Sequence, residues 1–415
     1  MTFRVAAILL AGGAIAATAF ATLAAPPQAR QTVTPPKARY SMDITTGSGL
    51  AGMGSGAGAA MRMMFGGGGG ETRTLELHLG STLSPTGGAA KADHLPPAAL
   101  RAGKALPLIT PVPGQAQTPE RGGGGERDFQ RPKARMLIFW GCGEHAPKGQ
   151  PVVIDFTKIM AGQMPPNLYT VTVPADPGPT AANSRTYGEW PRSRDAKQPG
   201  RGSSLLGQHR VVGNYSPAID FTLTQDWMQA LNVSHQPSPG GAVRLGWNGV
   251  PSATGYYAWA FGAGGAMQGN QPTDLVWWAS SNSREFGGGL TDWLPPATVA
   301  NLVGRKVVMP ASQTQCTIPA EVRAAAPTFM MGSLYAYGPE ANFVFPPRPA
   351  NPREPWKQEW TARARYRSYS MFMIGGPDMG AAMRDAGGDD ARPQRPRRCK
   401  GVGGILGSVI TGQGC

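Results

Sequence analysis

The sequence lacks several short motifs that mark common classes of enzyme. It contains no G-x-S-x-G nucleophile elbow, no H-E-x-x-H zinc motif, no P-loop and no C-x-x-C pair. Its five histidines follow no recognisable catalytic arrangement, so a histidine-based hydrolase would need residues from distant segments. The sequence therefore favours a protein without catalytic activity, and we expect no cofactor.

Charged residues are scarce, at 15% of the chain, whereas glycine (58) and proline (40) are abundant. This composition favours turns and strands over long helices. The alternation of Tyr40, Met42 and Ile44, and later of leucines in ETRTLELHLGST, is typical of half-buried strands. No repeated period indicates a solenoid or a propeller. We predict an all-β fold with two β-rich domains and long Gly/Pro-rich loops.

Only one run is long and apolar enough to approach the thickness of a bilayer, and it lies at the start of the chain. Arg4 precedes it, no charge follows before Arg30, and small residues suited to cleavage lie between Ala21 and Ala25. This pattern is typical of a secretory signal peptide, with an uncleaved anchor as the alternative. No cysteine follows the cleavage region, which disfavours a lipoprotein. We predict export to the periplasm, the cell surface or the medium.

The formal charge is +14, or +13 once Arg4 is removed with the signal. In an exported protein this balance points away from nucleic acid and toward an anionic envelope component, such as lipopolysaccharide phosphates or acidic glycans. Peripheral membrane contact and another envelope protein are further candidate partners. The alternative is that the charge only keeps the protein soluble.

Four cysteines form an even set in a compartment that permits disulfides. Three pairings are possible among Cys142, Cys316, Cys399 and Cys415. Cys399 with Cys415 is the most local pair, which leaves Cys142 with Cys316 as a long-range bridge.

Composition and pattern divide the chain into consecutive regions. They are a signal peptide (1–25), a Pro-rich lead-in (26–38), a β-rich domain (39–225) with flexible insertions (47–70, 81–132 and 174–204), a sandwich-like domain (226–347), a final strand region (348–375), and a charged tail with a Cys-closed loop (376–415).

The segment AVRLGWNGVPSATGYYAWAFG, which begins at Ala242, has a strand ending in Trp247, a short Val-Pro turn and a second strand. It resembles the early strands of a fibronectin type III or related immunoglobulin-like sandwich, and the resemblance extends over 242–347 at most. It implies that Trp247 and an apolar partner on the next strand fill the space between two sheets.

Aromatic residues supply a candidate ligand site. Adjacent residues of a strand face opposite sides, so one of Trp277 and Trp278 should lie in the core and the other outside. An outward tryptophan near Tyr256 or Tyr257 could stack on a sugar ring. The alternative is that these side chains only pack in the core.

Two further clusters could bind metal. Met61, Met63 and Met64 are soft ligands suited to Cu(I), although methionines also serve as apolar filler. Cys142 and His145 lie close together in sequence, but no second Cys/His pair is near, so a disulfide cysteine beside an exposed histidine is favoured.

The sequence thus favours an exported cell-envelope binding or structural protein without catalysis of its own. One alternative is a glycan-binding or glycan-hydrolysing protein, in which the fold would bring together carboxylates such as Asp155, Asp220 and Asp226. The other is a periplasmic copper binder that uses the Met-rich segment.

Overall fold

The computed structural model describes residues 31–53, 70–111, 135–156, 158, 173, 176, 178–192, 197–268, 271–285, 288–327 and 329–375. The predicted signal peptide, the three methionines of the copper hypothesis and the Cys399–Cys415 pair lie outside the described residues.

Strands dominate the described chain, which confirms the all-β prediction. They are β1 (Val33–Thr34), β2 (Ala38–Gly49), β3 (Thr72–Ser81), β4 (Ala92–Leu95), β5 (Leu106–Pro107), β6 (Arg135–Trp140), β7 (Val152–Asp155), β8 (Thr186–Trp190), β9 (Gly207–Gly213), β10 (Ile219–Leu223), β11 (Val233–Pro237), β12 (Val243–Trp247), β13 (Gly255–Gln268), β14 (Gln271–Ala279), β15 (Met309–Pro310), β16 (Gln315–Ile318), β17 (Phe329–Phe345), β18 (Trp356–Lys357) and β19 (Trp360–Met373). Two short helices, α1 (Pro296–Gly304) and α2 (Ala320–Ala325), follow β14 and β16. No helix in the described ranges is long and apolar enough to cross a membrane.

A ten-stranded mixed sheet forms the centre of the fold. Its order is β7-β6-β14-β13-β17-β19-β2-β3-β8, and β15 pairs with β13 outside this path. The sheet takes strands from both sides of the predicted domain boundary at 225, because β14 of the later region pairs in parallel with β6 of the earlier one. Hydrogen bonds therefore join the two predicted regions within one sheet.

Two smaller sheets cover one face of the large sheet and make the fold sandwich-like. Their orders are β10-β9-β4-β5 and β11-β12-β16. The main core lies between them and the large sheet, and the predicted alternation of β2 and β3 supplies much of it. These core side chains are Tyr40, Met42, Ile44, Leu75, Leu77 and Leu79, each at most 2% exposed.

Several of these short strands lie in segments whose composition predicts flexible insertions. The 81–132 segment contributes β4 and β5, and the 174–204 segment contributes β8. Each of these strands buries only a few side chains, including Leu106 and Trp190, among many Gly and Pro residues. Tertiary packing therefore forms short strands in the described parts of segments that local composition marks as loops.

A disulfide joins Cys142 to Cys316, as the sequence predicts, with the two Cα atoms 5.2 Å apart. Cys142 follows β6 of the large sheet and Cys316 lies on β16 of the three-stranded sheet, so the bond links two layers. Trp247 also spans this gap, because its ring meets that of Tyr256 edge-on at 5.6 Å. The packing role that the sandwich resemblance implies for Trp247 is present, while the fibronectin-like family itself stays a prediction.

Candidate functional site

The outer face of the large sheet, which lies opposite the main core, carries several charged and aromatic side chains. Strand β19 places them there by simple alternation, since every second side chain points to the same face. The core-facing set is Ala362, Ala364 and Tyr366, and the outward set is Arg363, Arg365 and Arg367.

The central arginine of this row forms a buried ion pair. Arg365 lies opposite Asp43 in the parallel pairing of β19 with β2. Its Nε and Nη2 atoms donate to the two Asp43 carboxylate oxygens at 2.7 and 2.6 Å. The two residues are 5% and 4% exposed, so each charge depends on the other for compensation.

Arg363 is paired with Asp176, and its Nη2 donates to Asp176 Oδ1 at 3.2 Å. Burial acts to raise the pKa of the Asp176 carboxyl, but the hydrogen bond and the positive charge of Arg363 outweigh it, so the net pKa is lowered. Glu340 lies 3.9 Å from the same guanidinium. Arg363 is therefore also neutralised by carboxylates.

Arg367 has a different environment, which we call the Arg367 subsite and which comprises Arg367, Trp293, Tyr335 and Tyr369. The guanidinium lies over the Trp293 ring, 4.2 Å from its centroid. Its Nε donates to Thr45 Oγ1 at 3.1 Å, and no carboxylate lies within 4.0 Å of it among the described residues. Its charge is thus held in place but not neutralised by an ion pair.

Tyr335 and Tyr369 are opposite each other on β17 and β19, and their rings stack with centroids 5.7 Å apart. Both side chains are only partly buried. Burial raises the pKa of each phenol, so both hydroxyls stay protonated at neutral pH. The subsite therefore combines a fixed cation with two partly open aromatic rings and two hydroxyl groups.

A second polar group lies on β3 and β8 of the same face. His78 Nδ1 is 2.7 Å from the Tyr187 hydroxyl, which in turn donates to Glu189 Oε2 at 2.9 Å. Burial, followed by the charge of Glu189, raises the pKa of Tyr187, so its hydroxyl remains a donor. The nearby Asp43, Glu76 and His78 hold ligand-type atoms within 4.8 Å of one another.

Trp259 and Trp277 form a stacked pair at the β13–β14 side of the outer face. Their ring centroids are 4.9 Å apart and their planes differ by 9°. Both are partly exposed, and the Trp277 indole donates to the Glu285 carbonyl at 3.0 Å. This pair extends the aromatic surface across several strands.

The sequence-predicted stacking residues divide between the two faces. Trp277 reaches the outer face, whereas Trp278 is completely buried and donates its indole N–H to the Gly141 carbonyl at 2.9 Å. Tyr256 and Tyr257 are at most 1% exposed. Neighbouring side chains therefore cover Trp278, Tyr256 and Tyr257, and of the four residues only Trp277 is partly exposed, so ligand stacking stays a prediction.

The three carboxylates of the hydrolase hypothesis lie on different elements. Asp155 ends strand β7 of the large sheet, and Asp220 is exposed on β10, 3.6 Å from Arg210. Asp226 accepts hydrogen bonds from the Ser204 hydroxyl at 2.6 Å and from two backbone N–H groups, which is a structural role. These contacts give no support to a catalytic pair among them.

The Cys142 to His145 segment is structural in the described chain. The Cys142 sulfur is in the disulfide and offers no thiolate. His145 is exposed, and its Nδ1 lies 3.1 Å from Glu321 Oε1. The structure thus agrees with the interpretation of a disulfide cysteine beside an exposed histidine, and not with a metal site or a thiol nucleophile.

Sequence reasoning missed the arginine row, the tyrosine stack and the His78 group. A signal for the arginine row is present, because RARYRSY places Arg363, Arg365, Arg367 and Tyr369 on one face of a strand. The tyrosine stack has none, since Tyr335 comes from another strand. The His78 group has no such signal, since β3 and β8 are far apart in sequence. The methionines of the copper hypothesis lie outside the described residues, so that hypothesis stays a prediction.

Comparison with known proteins gives no matching family model, no similar curated protein and no similar solved structure. The function must therefore be argued from the surface itself.

Proposed function

We propose that this chain is an exported cell-envelope binding protein without catalytic activity of its own, and that its outer face binds an acidic glycan. The Arg367 subsite is the observation that carries the proposal. A guanidinium held on a tryptophan face beside stacked tyrosines offers both an anion partner and rings on which a sugar can pack.

The acidic character of the ligand follows from Arg367, which has no carboxylate within 4.0 Å of its guanidinium among the described residues. A carboxylate or phosphate group is the natural partner for a guanidinium fork, because two parallel hydrogen bonds match its geometry. The side chain is already ordered by Trp293 and Thr45, so binding costs little additional side-chain entropy. The net charge, +14 for the full chain and +13 without Arg4, favours approach of a polyanion from a distance.

The proposal is tested by calorimetric titration with polygalacturonate, which carries carboxylates, and with neutral dextran. We expect binding of the acidic polymer only. Arg367→Gln should weaken binding by about 1.5–3 kcal/mol, the usual contribution of a hydrogen bond to a charged group. Tyr369→Ala should weaken it as well, through loss of a stacking ring.

Arg244→Gln is the matched control, because it removes one exposed positive charge from β12 of a different sheet. Equal weakening by Arg244→Gln and Arg367→Gln would show that net charge, and not the subsite, attracts the polymer. Equal binding of dextran would contradict an acidic ligand.

Export is a separate part of the proposal and rests on the residues between Arg4 and Ala25. N-terminal sequencing of the protein from an envelope fraction should give a start within residues 22–26. Recovery of the intact chain in the cytoplasm would contradict export.

A further inference from the structure

Asp43, Glu76 and His78 form a separate cluster, in which two of the three residues are direct cross-strand neighbours. Asp43 of β2 lies opposite Glu76 of β3, and His78 is two residues further along the same face. Their ligand atoms all lie within 4.8 Å of one another. Two carboxylates and one imidazole are therefore grouped by the register of a rigid strand pair, not by a loop.

The hydrogen-bond chain beside the group fixes the state of the imidazole. Because the Tyr187 hydroxyl gives its proton to Glu189, it can only accept from His78, so His78 carries a proton on Nδ1. The other nitrogen, Nε2, faces Asp43 Oδ2 across 3.9 Å, which is too long for a hydrogen bond. A nitrogen oriented by an outer hydrogen bond is the arrangement found for metal-ligating histidines.

The charges of the group also lack full compensation. Like charges directly opposite each other on paired strands are destabilising, and Asp43 faces Glu76. Arg365 neutralises Asp43, but no Lys or Arg in the described chain lies within 4.0 Å of Glu76. A cation between the carboxylates and Nε2 would remove this repulsion.

We propose that Asp43, Glu76 and His78 form a site for a divalent transition-metal ion, with Zn²⁺ as the best match to one imidazole and two carboxylates. Zn–N and Zn–O bonds of about 2.1 Å span the 3.9 Å between Nε2 and Oδ2 with a bent angle at the ion. Three protein ligands leave a position for water. The site is independent of the glycan proposal, since it uses other residues.

The test is calorimetric titration of the metal-free full-length protein with Zn²⁺, repeated with Co²⁺, whose visible absorption reports its ligands. We expect one ion per chain at this site. Glu76→Gln and His78→Ala should each weaken Zn²⁺ binding by at least about 10-fold and change the Co²⁺ spectrum. Glu76 is exposed, so its substitution should leave the fold intact even if that of His78 does not.

Tyr187→Phe tests the orienting role of the hydroxyl and should weaken binding by about 10-fold. His145→Ala removes an exposed histidine elsewhere and should have no effect. An affinity that survives both Glu76→Gln and His78→Ala would assign the ion to other residues and overturn the proposal. Absence of Zn²⁺ binding at 100-fold molar excess would overturn it as well.

Discussion

His94 Nε2 and His209 Nδ1 lie 3.1 Å apart in the core, where both rings are completely buried. His209 Nε2 is 2.7 Å from the Leu205 carbonyl, so that nitrogen must carry a proton, and His209 Nδ1 accepts from His94. His94 Nδ1 in turn accepts from the Tyr40 hydroxyl at 2.8 Å. The chain is fully satisfied only when both imidazoles are neutral.

This pair predicts a loss of stability in acid. Burial lowers the pKa of both histidines, and the neighbouring His209 lowers that of His94 further. An unfolded chain binds protons at histidine below about pH 6.5, so it then holds more protons than the folded chain. The free energy of unfolding should therefore be constant above pH 7 and fall below pH 6.5, by up to about 1.4 kcal/mol per pH unit for each histidine.

Urea unfolding between pH 8 and pH 5 measures this slope. In His94→Gln the amide can still accept from Tyr40 and donate to His209. The slope of the unfolding free energy against pH should therefore decrease by up to about 1.4 kcal/mol per pH unit, which corresponds to one proton. His235→Gln, at an exposed position on β11, should leave it unchanged. An unchanged slope in His94→Gln would show that other groups cause the acid sensitivity.

The same pair shows where sequence reasoning succeeds and where it stops. Alternation within one strand predicts the burial of Leu75, Leu77 and Leu79, because burial repeats locally with period two. His94 lies in a Pro-rich segment, and nothing near it in sequence indicates a partner 115 residues away. Long-range pairing, which depends on how β4 meets β9, is not encoded in any local pattern.

On the outer face of the large sheet, local sequence patterns likewise predict which way side chains face but not which partners they meet. The alternation of β19 predicts that its arginines share one face, but their partners come from strands far along the chain. Asp43 and Arg365 are 322 residues apart and meet only because β2 and β19 pair in parallel. The disulfide is the exception, since a small even set of cysteines leaves few long-range choices.

Substitution of Asp43 should be strongly destabilising. Asp43→Asn leaves the buried Arg365 guanidinium without a counter-charge, which costs about 3–5 kcal/mol. Asp176→Asn removes the partner of Arg363 at a more exposed position and should cost about 1 kcal/mol or less. Chemical denaturation of the two variants gives the comparison, and equal costs would show that the Asp43–Arg365 ion pair is not buried.

Reduction of the Cys142–Cys316 disulfide should lower stability markedly. The bond closes a separation of 174 residues, for which the chain-entropy treatment gives roughly 5 kcal/mol. Peptide mapping of the oxidised protein should recover Cys142 joined to Cys316. Thermal unfolding of Cys142→Ser/Cys316→Ser should show a lower midpoint than the oxidised wild-type protein, and a wild-type midpoint in this variant would contradict a stabilising bond.

The adjacent tryptophans of β14 offer a matched test of which face is the core. Trp278→Phe removes a buried ring volume and leaves the Gly141 carbonyl without its donor, so it should cost about 2–4 kcal/mol. Trp277→Phe also loses a hydrogen bond, to Glu285, but water can replace it at this partly exposed position. Its cost should be lower by at least about 1 kcal/mol, the net contribution of one hydrogen bond. Urea unfolding of the two variants measures the difference in the free energy of unfolding. A larger cost for Trp277→Phe would show that Trp277, and not Trp278, faces the core, so that Trp277 does not lie on the outer surface.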